Sequence, residues 1–186
     1  MSLEQLINNC KKNDIKAQEQ LYRLYSTKLF SVCLKYSRNY EEAQDNLQEG
    51  FLLIFEKINQ FSYKGSFEGW MKRILINYVL QQYRKETFLN IVDENFEDKE
   101  VEVEIDDEDV SMDYLLKIIQ ELPDKYRLVF NLYVIDGYSH QEIADMLKIS
   151  LSLAKVRVFR AKKMLHTPLK PYLRELKPEE DETQDE

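Results

Sequence analysis

Apolar residues in the first half of the chain recur at the three- and four-residue spacing that is typical of amphipathic helices. The loop SYKGS, residues 62–66, separates the second apolar stripe from the third, and Ser66 is placed to cap the third helix. Because Trp70 lies on the third stripe, the pattern predicts that it packs in the core. The three stripes consist of Leu21, Leu24, Tyr25, Leu29, Val32, Cys33 and Tyr36; of Ala43, Leu47, Phe51, Ile54, Ile58 and Phe61; and of Phe67, Trp70, Met71, Ile74, Leu75 and Tyr78.

Shorter apolar stripes follow residue 110, with signals for where each helix begins and ends. One stripe ends at Pro123, which suits the first position of the next helix. Gly137 ends that next helix, and Ser139 with Glu142 three residues later forms a capping box. The two stripes consist of Leu115, Ile118, Ile119 and Leu122, and of Tyr126, Val129, Phe130 and Tyr133.

The stretch from residue 139 to residue 165 is typical of two helices joined by a tight turn. Ile143 and Leu147 face inward on the first helix, and Ser150 caps the second. This is the layout of a helix-turn-helix, whose second helix enters the major groove of DNA. A structural hairpin with a solvated basic face is the alternative. The second helix carries a narrow apolar stripe, Ala154, Val158, Ala161 and Leu165, opposite a basic side, Lys155, Arg157, Arg160, Lys162 and Lys163.

The composition favours helices over strands. The 186 residues include four Gly and four Pro, too few for a turn-rich all-β fold. We predict an all-α protein with two small helical domains joined by an acidic flexible linker, the second domain containing the helix-turn-helix. The predicted bounds are residues 1–88 for the first domain, 89–110 for the linker, 111–175 for the second domain and 176–186 for an acidic disordered tail.

Charge is segregated along the chain. Residues 93–109 hold eleven acids and one lysine, and residues 175–186 hold seven acids and one lysine. These segments contribute -10 and -6 to the formal net charge of -8, so the other 157 residues carry +8. The positive charge of these 157 residues indicates a polyanionic partner. Two solvated acidic segments on an otherwise ordinary protein are the alternative.

The sequence carries no pattern for catalysis, metal binding or membrane insertion. His140 and His166 are the only histidines, and neither has Cys or carboxylate neighbours at metal-ligand spacing. Cys10 and Cys33 are isolated, as is typical of buried reduced thiols in a cytoplasmic protein. No apolar run approaches the ~18 residues of a membrane span. We therefore expect a cytoplasmic protein that is not an enzyme, with no metal, cofactor or small-molecule substrate.

Two longer stretches resemble the conserved regions of sigma factors of the extracytoplasmic-function (ECF) type. The DNA-binding region of that family is similar to LPDKYRLVFNLYVIDGYSHQEIADML. Its promoter-melting region is similar to AQDNLQEGFLLIFEKINQF followed by GSFEGWMKRILINYVLQQYRK. The resemblance implies an alternative bacterial sigma factor that binds core RNA polymerase, recognises promoter DNA and initiates transcription of a specific gene set. It also allows an anti-sigma factor as a further partner.

The resemblance assigns roles to three sets of residues. Carboxylates repel phosphate, so the first set suits polymerase better than DNA; an ordinary amphipathic helix is the alternative. In the second set, a small loop can hold an extruded base while basic side chains contact phosphates. The polymerase-binding set is Asp45, Leu47, Gln48, Glu49 and Phe51; the downstream-element set is Tyr63, Lys64, Gly65, Ser66, Arg73, Asn77, Arg84 and Lys85; and the upstream-element set is Ser150, Ser152, Lys155, Val156, Arg157, Phe159, Arg160 and Lys163.

The helix after Ser150 departs from the family pattern, which leaves two hypotheses open. Leu151, Leu153 and Val156 replace residues that are usually polar. Lys148 replaces the usual glycine of the turn and requires a strained or altered backbone there. In the first hypothesis, a working sigma factor reads its upstream element through apolar contacts to thymine methyl groups. In the second, a sigma-like interaction protein docks this helix on another protein.

Overall fold

The structure, a computed structural model, describes residues 2–89 and 111–175, and every regular element in these two ranges is a helix. The all-α prediction is therefore confirmed. No helix within these ranges is long and apolar enough to cross a bilayer. The elements are α1 (Leu3–Lys11), α2 (Ile15–Tyr36), α3 (Tyr40–Lys57), a 3-10 turn (Ile58–Gln60), α4 (Phe67–Leu89), α5 (Met112–Glu121), α6 (Asp124–Phe130), a π-helical turn (Asn131–Ile135), α7 (His140–Leu147) and α8 (Leu151–Glu175). Residues 90–110 and 176–186, which hold nearly all of the acidic linker and tail, lie outside the described residues.

The first domain packs the predicted stripes of α2, α3 and α4 against one another. Every member of the stripe from Ala43 to Phe61 is buried. Trp70 is half-buried and packs on this core, with its ring 5.6 Å from that of Phe67. The prediction for Leu24 is wrong, since 56% of this residue is exposed. With 3.6 residues per turn, Leu24 points about 110° away from the centre of the α2 stripe.

Helix α1 closes one end of this core, although the apolar pattern did not predict it. A capping box starts the helix: Ser2 Oγ accepts from Gln5 N at 3.2 Å, and Gln5 Oε1 accepts from Ser2 N at 2.9 Å. Cys10 of α1 and Cys33 of α2 are both free and buried, as predicted. Burial raises the pKa of the two thiols to about 11 and about 12, so both stay protonated at neutral pH.

The second domain follows most of the predicted caps. Ser139 and Glu142 form the capping box of α7, and Ser150 Oγ accepts from Leu153 N at 3.1 Å at the start of α8. Pro123 lies one position earlier than predicted: its ψ of 142° is extended, so it is the N-cap of α6 rather than its first helical residue. Gly137 has a φ of 76°, which suits its predicted place at a helix end.

The turn between α7 and α8 has the altered backbone that its lysine implied. Lys148 is the C-cap of α7 and adopts the left-handed conformation, with φ 56° and ψ 46°. A side chain at this position costs about 1–2 kcal/mol relative to right-handed geometry. The turn directs α8 back across α6, and the predicted inward stripe of α8 is fully buried: Ala154, Val158, Ala161 and Leu165.

The two domains share one hydrophobic cluster instead of lying apart. Val32 and Tyr36 of α2 and Val79 and Leu80 of α4 are buried in the cluster that also holds the core of the second domain. Helix α2 contacts α5, and α4 contacts α7. The sequence predicted two helical domains joined by an acidic flexible linker and indicated no contact between them. The closed packing is therefore a property that only the tertiary structure reveals.

Candidate protein and nucleic-acid interfaces

The outer face of α3 presents the polar members of the predicted polymerase-binding set. Asp45, Gln48 and Glu49 are exposed. Leu47 and Phe51 require a correction, because they are only 7% and 3% exposed and belong to the core of the first domain. These two side chains orient α3, and the three polar ones lie on its accessible surface.

A groove between α2 and α3 lies beside these polar residues, and the sequence reading missed it. Its accessible volume is about 280 Å³. Two aromatic pairs shape the groove: the ring centroids of Tyr22 and Phe51 are 4.6 Å apart, and those of Phe30 and Tyr40 are 5.1 Å apart. Tyr22 and Tyr40 are 41% and 58% exposed. The position of these two tyrosines outside the apolar stripes is the sequence feature that could have indicated the groove. The lining residues are Tyr22, Ser26, Thr27, Phe30, Tyr40, Gln44, Leu47 and Gln48.

The loop at residues 62–66 has a constrained backbone. Tyr63 and Gly65 have φ values of 59° and 101°, so a tyrosine occupies the left-handed region that normally favours glycine. Ser66 Oγ accepts from Gly69 N at 3.3 Å, which makes Ser66 the predicted cap of α4. The exposed side chains of Tyr63 and Lys64 stand at the N-terminal end of α4.

Helix α1 holds this loop in place. The Tyr63 hydroxyl donates to Asn8 Oδ1 at 2.9 Å. Lys11 Nζ donates to the carbonyl oxygen of Phe61 at 3.1 Å and lies 4.7 Å from the centre of the Tyr63 ring, a cation–π contact. These contacts offset the backbone strain at Tyr63, so α1 sets the shape of the loop.

One face of α4 continues from the loop and carries the remaining downstream-element residues. Arg73, Asn77 and Lys85 are exposed, and the spacing of Arg73, Asn77 and Arg84 places them on one side of the helix. Arg84 is half-buried, and its Nη1 donates to the carbonyl oxygen of Met146 in α7 at 2.9 Å. The closed packing therefore engages one cation of this face.

The outer face of α8 combines polar, basic and apolar side chains. Ser152, Lys155 and Lys163 are exposed beside Val156 and Phe159, which are 45% and 70% exposed. Leu151 is 38% exposed at the start of the same face. The apolar departures noted in the sequence therefore reach the surface, except for Leu153, which is half-buried.

The three remaining members of the upstream-element set differ in how far they are exposed. Arg157 requires a correction, because it is only 7% exposed and so lies beneath the outer face of α8. Arg160 is half-buried, and Ser150 is exposed at the N-cap. The accessible cations of the predicted set on α8 are therefore Lys155 and Lys163.

The two domains match two conserved regions of one protein family. The family profile described as "Sigma-70 region 2" matches residues 21–88, and "Sigma-70, region 4" matches residues 112–165. The chain belongs to the sigma-70 family. Region 2 of this sigma factor thus includes the α3 surface, the loop and α4, and region 4 includes the helix-turn-helix.

Relatives of this sigma factor place it among the ECF type. The ECF RNA polymerase sigma factor SigW of Bacillus subtilis is 27% identical, over 91% of this chain and 98% of that protein. The RNA polymerase sigma-H factor of Pseudomonas aeruginosa is 25% identical, over 92% and 96%. A solved structure, the sigma factor RpoE with the anti-sigma factor NepR from Bartonella quintana, covers 84% of this chain and 98% of that one, with 22% identity and a TM-score of 0.53, and supports the fold. The chain is therefore an alternative sigma factor, a regulator that acts in promoter recognition and transcription initiation.

Proposed function

We propose that this sigma factor binds core RNA polymerase through the outer face of α3, and promoter DNA through the loop, α4 and α8. The observation that carries the proposal is the division of charge between these surfaces. The α3 face exposes Asp45 and Glu49, whereas α4 and α8 expose Arg73, Lys155 and Lys163. Since carboxylates repel phosphates and cations attract them, the first surface suits a protein and the other two suit DNA.

The groove beside α3 supports the polymerase assignment. Tyrosine is enriched in protein–protein interfaces, where a large apolar body and a polar tip are both used. Tyr22 and Tyr40 are exposed at this groove, and Gln48 stands at its edge. We infer that the groove receives an apolar side chain of the polymerase while the acids of α3 meet basic residues.

The loop and α4 are proposed to bind the downstream promoter element. An unpaired base can leave the stack and enter a pocket formed by the loop. Asn77 lies ten residues beyond the start of α4, and its amide can form hydrogen bonds with the same strand outside the loop. Exposed cations on α4 then hold the strand by its phosphates. This work takes place in the cytoplasm, and any bond-making chemistry belongs to the polymerase. An anti-sigma factor is a further expected partner.

Transcription from genomic DNA tests the proposed function. Purified full-length chain is added to core polymerase from its source organism, and transcripts from fragmented genomic DNA are sequenced. New transcripts with shared upstream sequences are expected, with core polymerase alone as the control. Absence of any transcript that depends on the chain would contradict the proposal.

The contacts of Asn8 and Lys11 with the loop, which we call the latch, are expected to favour promoter opening. Loss of one hydrogen bond of about 0.5–1.5 kcal/mol corresponds to a two- to ten-fold change in an equilibrium constant. Asn8→Ala and Tyr63→Phe should therefore each reduce open-complex formation by that factor, measured by permanganate reactivity. Asn77→Ala should act at the same step. Lys12→Ala, an exposed residue at the end of α1, is the control, and equal loss in the control would show that the latch is not specific.

A second function for α8, docking on another protein, is favoured by one observation: Leu151, Val156 and Phe159 expose apolar surface on one helix. Selection of bound sequences from random duplex DNA distinguishes protein docking by α8 from promoter recognition by α8. If α8 binds phosphates but lacks polar base contacts, the parent should select only a weak motif. Leu151→Ser with Val156→Ser should then sharpen it, since a good polar contact discriminates by about 1–3 kcal/mol per base pair.

The sequences that the parent protein selects decide whether α8 recognises promoter DNA or docks on another protein. A sharp T-rich motif in the parent, lost in the double variant, would show that the apolar side chains read thymine methyl groups. Absence of DNA binding even at low salt would instead support protein docking. Leu153 stays unchanged in the variant because it is half-buried and its replacement could disturb packing.

A further inference from the structure

The first turn of α4 carries an acid that joins two lysines from two different helices. Glu68 Oε2 accepts from Lys28 Nζ of α2 at 3.2 Å, and Glu68 Oε1 lies 2.8 Å from Lys72 Nζ of α4. The hydrogen bonds from Lys72, and then the one from Lys28, hold the pKa of Glu68 below its usual range, so the carboxylate is charged at neutral pH. One negative charge therefore faces two positive charges, which leaves a net charge of +1 on the three side chains.

Glu68 also lines a cavity beside the loop at residues 62–66. The cavity has an accessible volume of about 450 Å³ and is lined by residues of α1, α2, the loop and the start of α4. Because Glu68 follows the loop by two residues, a strand whose base is held by the loop passes close to the two lysines. Glu4 of α1 is the other acid of the cavity wall, so a phosphate is favoured on the side of Lys28 and Lys72.

The two lysines have the exposure and the hydrogen-bonding groups that phosphate binding requires. The side chains of Lys28 and Lys72 are 63% and 41% exposed, and each ammonium group has three N–H donors. Within the described ranges, the ion pairs of both lysines are with Glu68. A backbone phosphate presents two non-bridging oxygens, which can take the places of the two carboxylate oxygens between the ammonium groups.

We propose that Lys28 and Lys72 form a phosphate-binding pair for the single-stranded promoter DNA that leaves the loop, and that a backbone phosphate displaces the Glu68 carboxylate from between them. The proposal rests on the DNA-binding role proposed above for the loop and α4, and it adds α2 as a further DNA-contacting element. Glu68 keeps the two flexible side chains together in the free protein and competes with the phosphate. Since the pair contacts the backbone, it adds affinity without sequence preference.

The test measures binding of the full-length protein to fluorescein-labelled single-stranded DNA of random sequence at a series of salt concentrations. Lys28→Ala should weaken binding about two- to five-fold at low salt, the effect of one exposed ion pair. It should also reduce the slope of log affinity against log salt by about 0.7, because one phosphate fewer is neutralised. Lys28→Arg keeps the charge and should keep the slope of the parent, so a reduced slope in this variant would contradict a contact based on charge.

The matched control for Lys28 is another exposed cation of the same helix. Arg23 Nη2 pairs with Glu19 Oε1 at 2.6 Å. With 3.6 residues per turn, Arg23 points about 140° away from Lys28 around α2. Arg23→Ala should therefore change neither the affinity nor the salt slope. Equal losses in Arg23→Ala and Lys28→Ala would overturn the assignment of a specific site.

Removal of the acid distinguishes a phosphate site from a purely structural ion pair. Glu68→Gln should strengthen DNA binding about two- to five-fold, because the carboxylate no longer competes for the two lysines. Glu19→Gln makes the same change of net charge beside Arg23 and should leave the affinity unchanged. Equal gains in the two variants would show that overall charge governs binding and would overturn the site. Circular dichroism checks the helicity of every variant.

The double variant Lys28→Ala/Glu68→Gln tests the competition directly. Without the acid, Lys28 is fully available to the phosphate, so its removal should cost more affinity than it does in the parent. Equal costs in the two backgrounds would overturn the competition by Glu68. An effect of Lys28→Ala that is as large on duplex DNA as on single-stranded DNA would show general attraction and would overturn the contact with the strand at the loop.

Arg73→Ala separates failure of this inference from failure of the proposed function. Arg73 is exposed on the α4 face proposed above to bind DNA. If Arg73→Ala reduces the salt slope and Lys28→Ala does not, α4 binds DNA and the phosphate-binding pair is wrong. If Lys28→Ala reduces the slope and Arg73→Ala does not, the pair binds phosphate and the proposed α4 face is wrong.

Discussion

Replacing Asp45 and Gln48 together with Lys is expected to weaken binding of the full-length protein to core RNA polymerase about a hundred-fold, which corresponds to about 2.7 kcal/mol. The two side chains are exposed on α3, so the core beneath them is unchanged and lysine keeps the helix intact. The loss arises because cations then face basic residues proposed on the polymerase. Binding is measured by titration of labelled core enzyme, and transcription should fall in parallel.

The control for this prediction has the same charge change at another site. Asp145→Lys with Gln141→Lys alters two exposed residues of α7 that are hydrogen-bonded to each other in the parent. Circular dichroism checks helicity in both double variants. Equal affinity of the α3 variant and the parent would remove α3 from the polymerase interface. Equal loss in the control would mean that overall charge, not the α3 surface, governs binding.

Substitution of Gly50 by Val is expected to destabilise the first domain by about 2–3 kcal/mol. Gly50 of α3 lies against α4, and a Cβ there would be 1.9 Å from Leu75 Cδ2 and 3.2 Å from its Cγ. Leu75 is 1% exposed, so its side chain has little room to move. Urea unfolding of the full-length protein measures the change.

Two companion variants test whether close packing is the cause. Gly69→Ala places a Cβ in ordinary contact with Ser66 Cβ, its nearest neighbour at 3.8 Å, and should stabilise α4 by up to about 1 kcal/mol. Gly50→Ala combined with Leu75→Ala should be less destabilising than the sum of the single changes, because each makes room for the other. Strict additivity would show that the helix contact is not the reason for the glycine.

The contact at Gly50 also matters for function. Helix α3 carries the proposed polymerase surface and α4 carries the proposed promoter surface, so their separation sets the geometry between the two partners. Gly50→Val, which shifts α4 away from α3, should therefore reduce promoter opening more than it reduces polymerase binding. That difference would separate a change in geometry from a loss of folded protein.

Features that depend on neighbouring residues could be read from the sequence. Apolar spacing in α3 and α8 placed every residue of both stripes in the core, since helical periodicity is a local property of the backbone. The caps at Ser66, Ser139 and Ser150 were equally readable, because each side chain reaches a backbone amide two or three residues away. The motif order was enough to indicate the family.

Features that depend on packing between distant segments could not be read in this way. Leu47, Phe51 and Arg157 lie in motifs assigned to binding, and only their neighbours in space show that they are buried. Helix α1 holds the loop through contacts some fifty residues apart in sequence, namely those of Lys11 with Phe61 and of Asn8 with Tyr63.

The sequence alone was sufficient for an all-α fold with its caps, its turn at Lys148 and its helix-turn-helix, because these follow from local propensity and spacing. The sigma-factor family was indicated by the resemblance of two motifs in their order. Only the tertiary structure decided which faces remain available to partners. Tyr36 and Asp136 are separated by 100 residues, yet their contact helps to close the two domains on each other. Such a contact depends on burial and geometry across the whole fold, and no local pattern of residues encodes it.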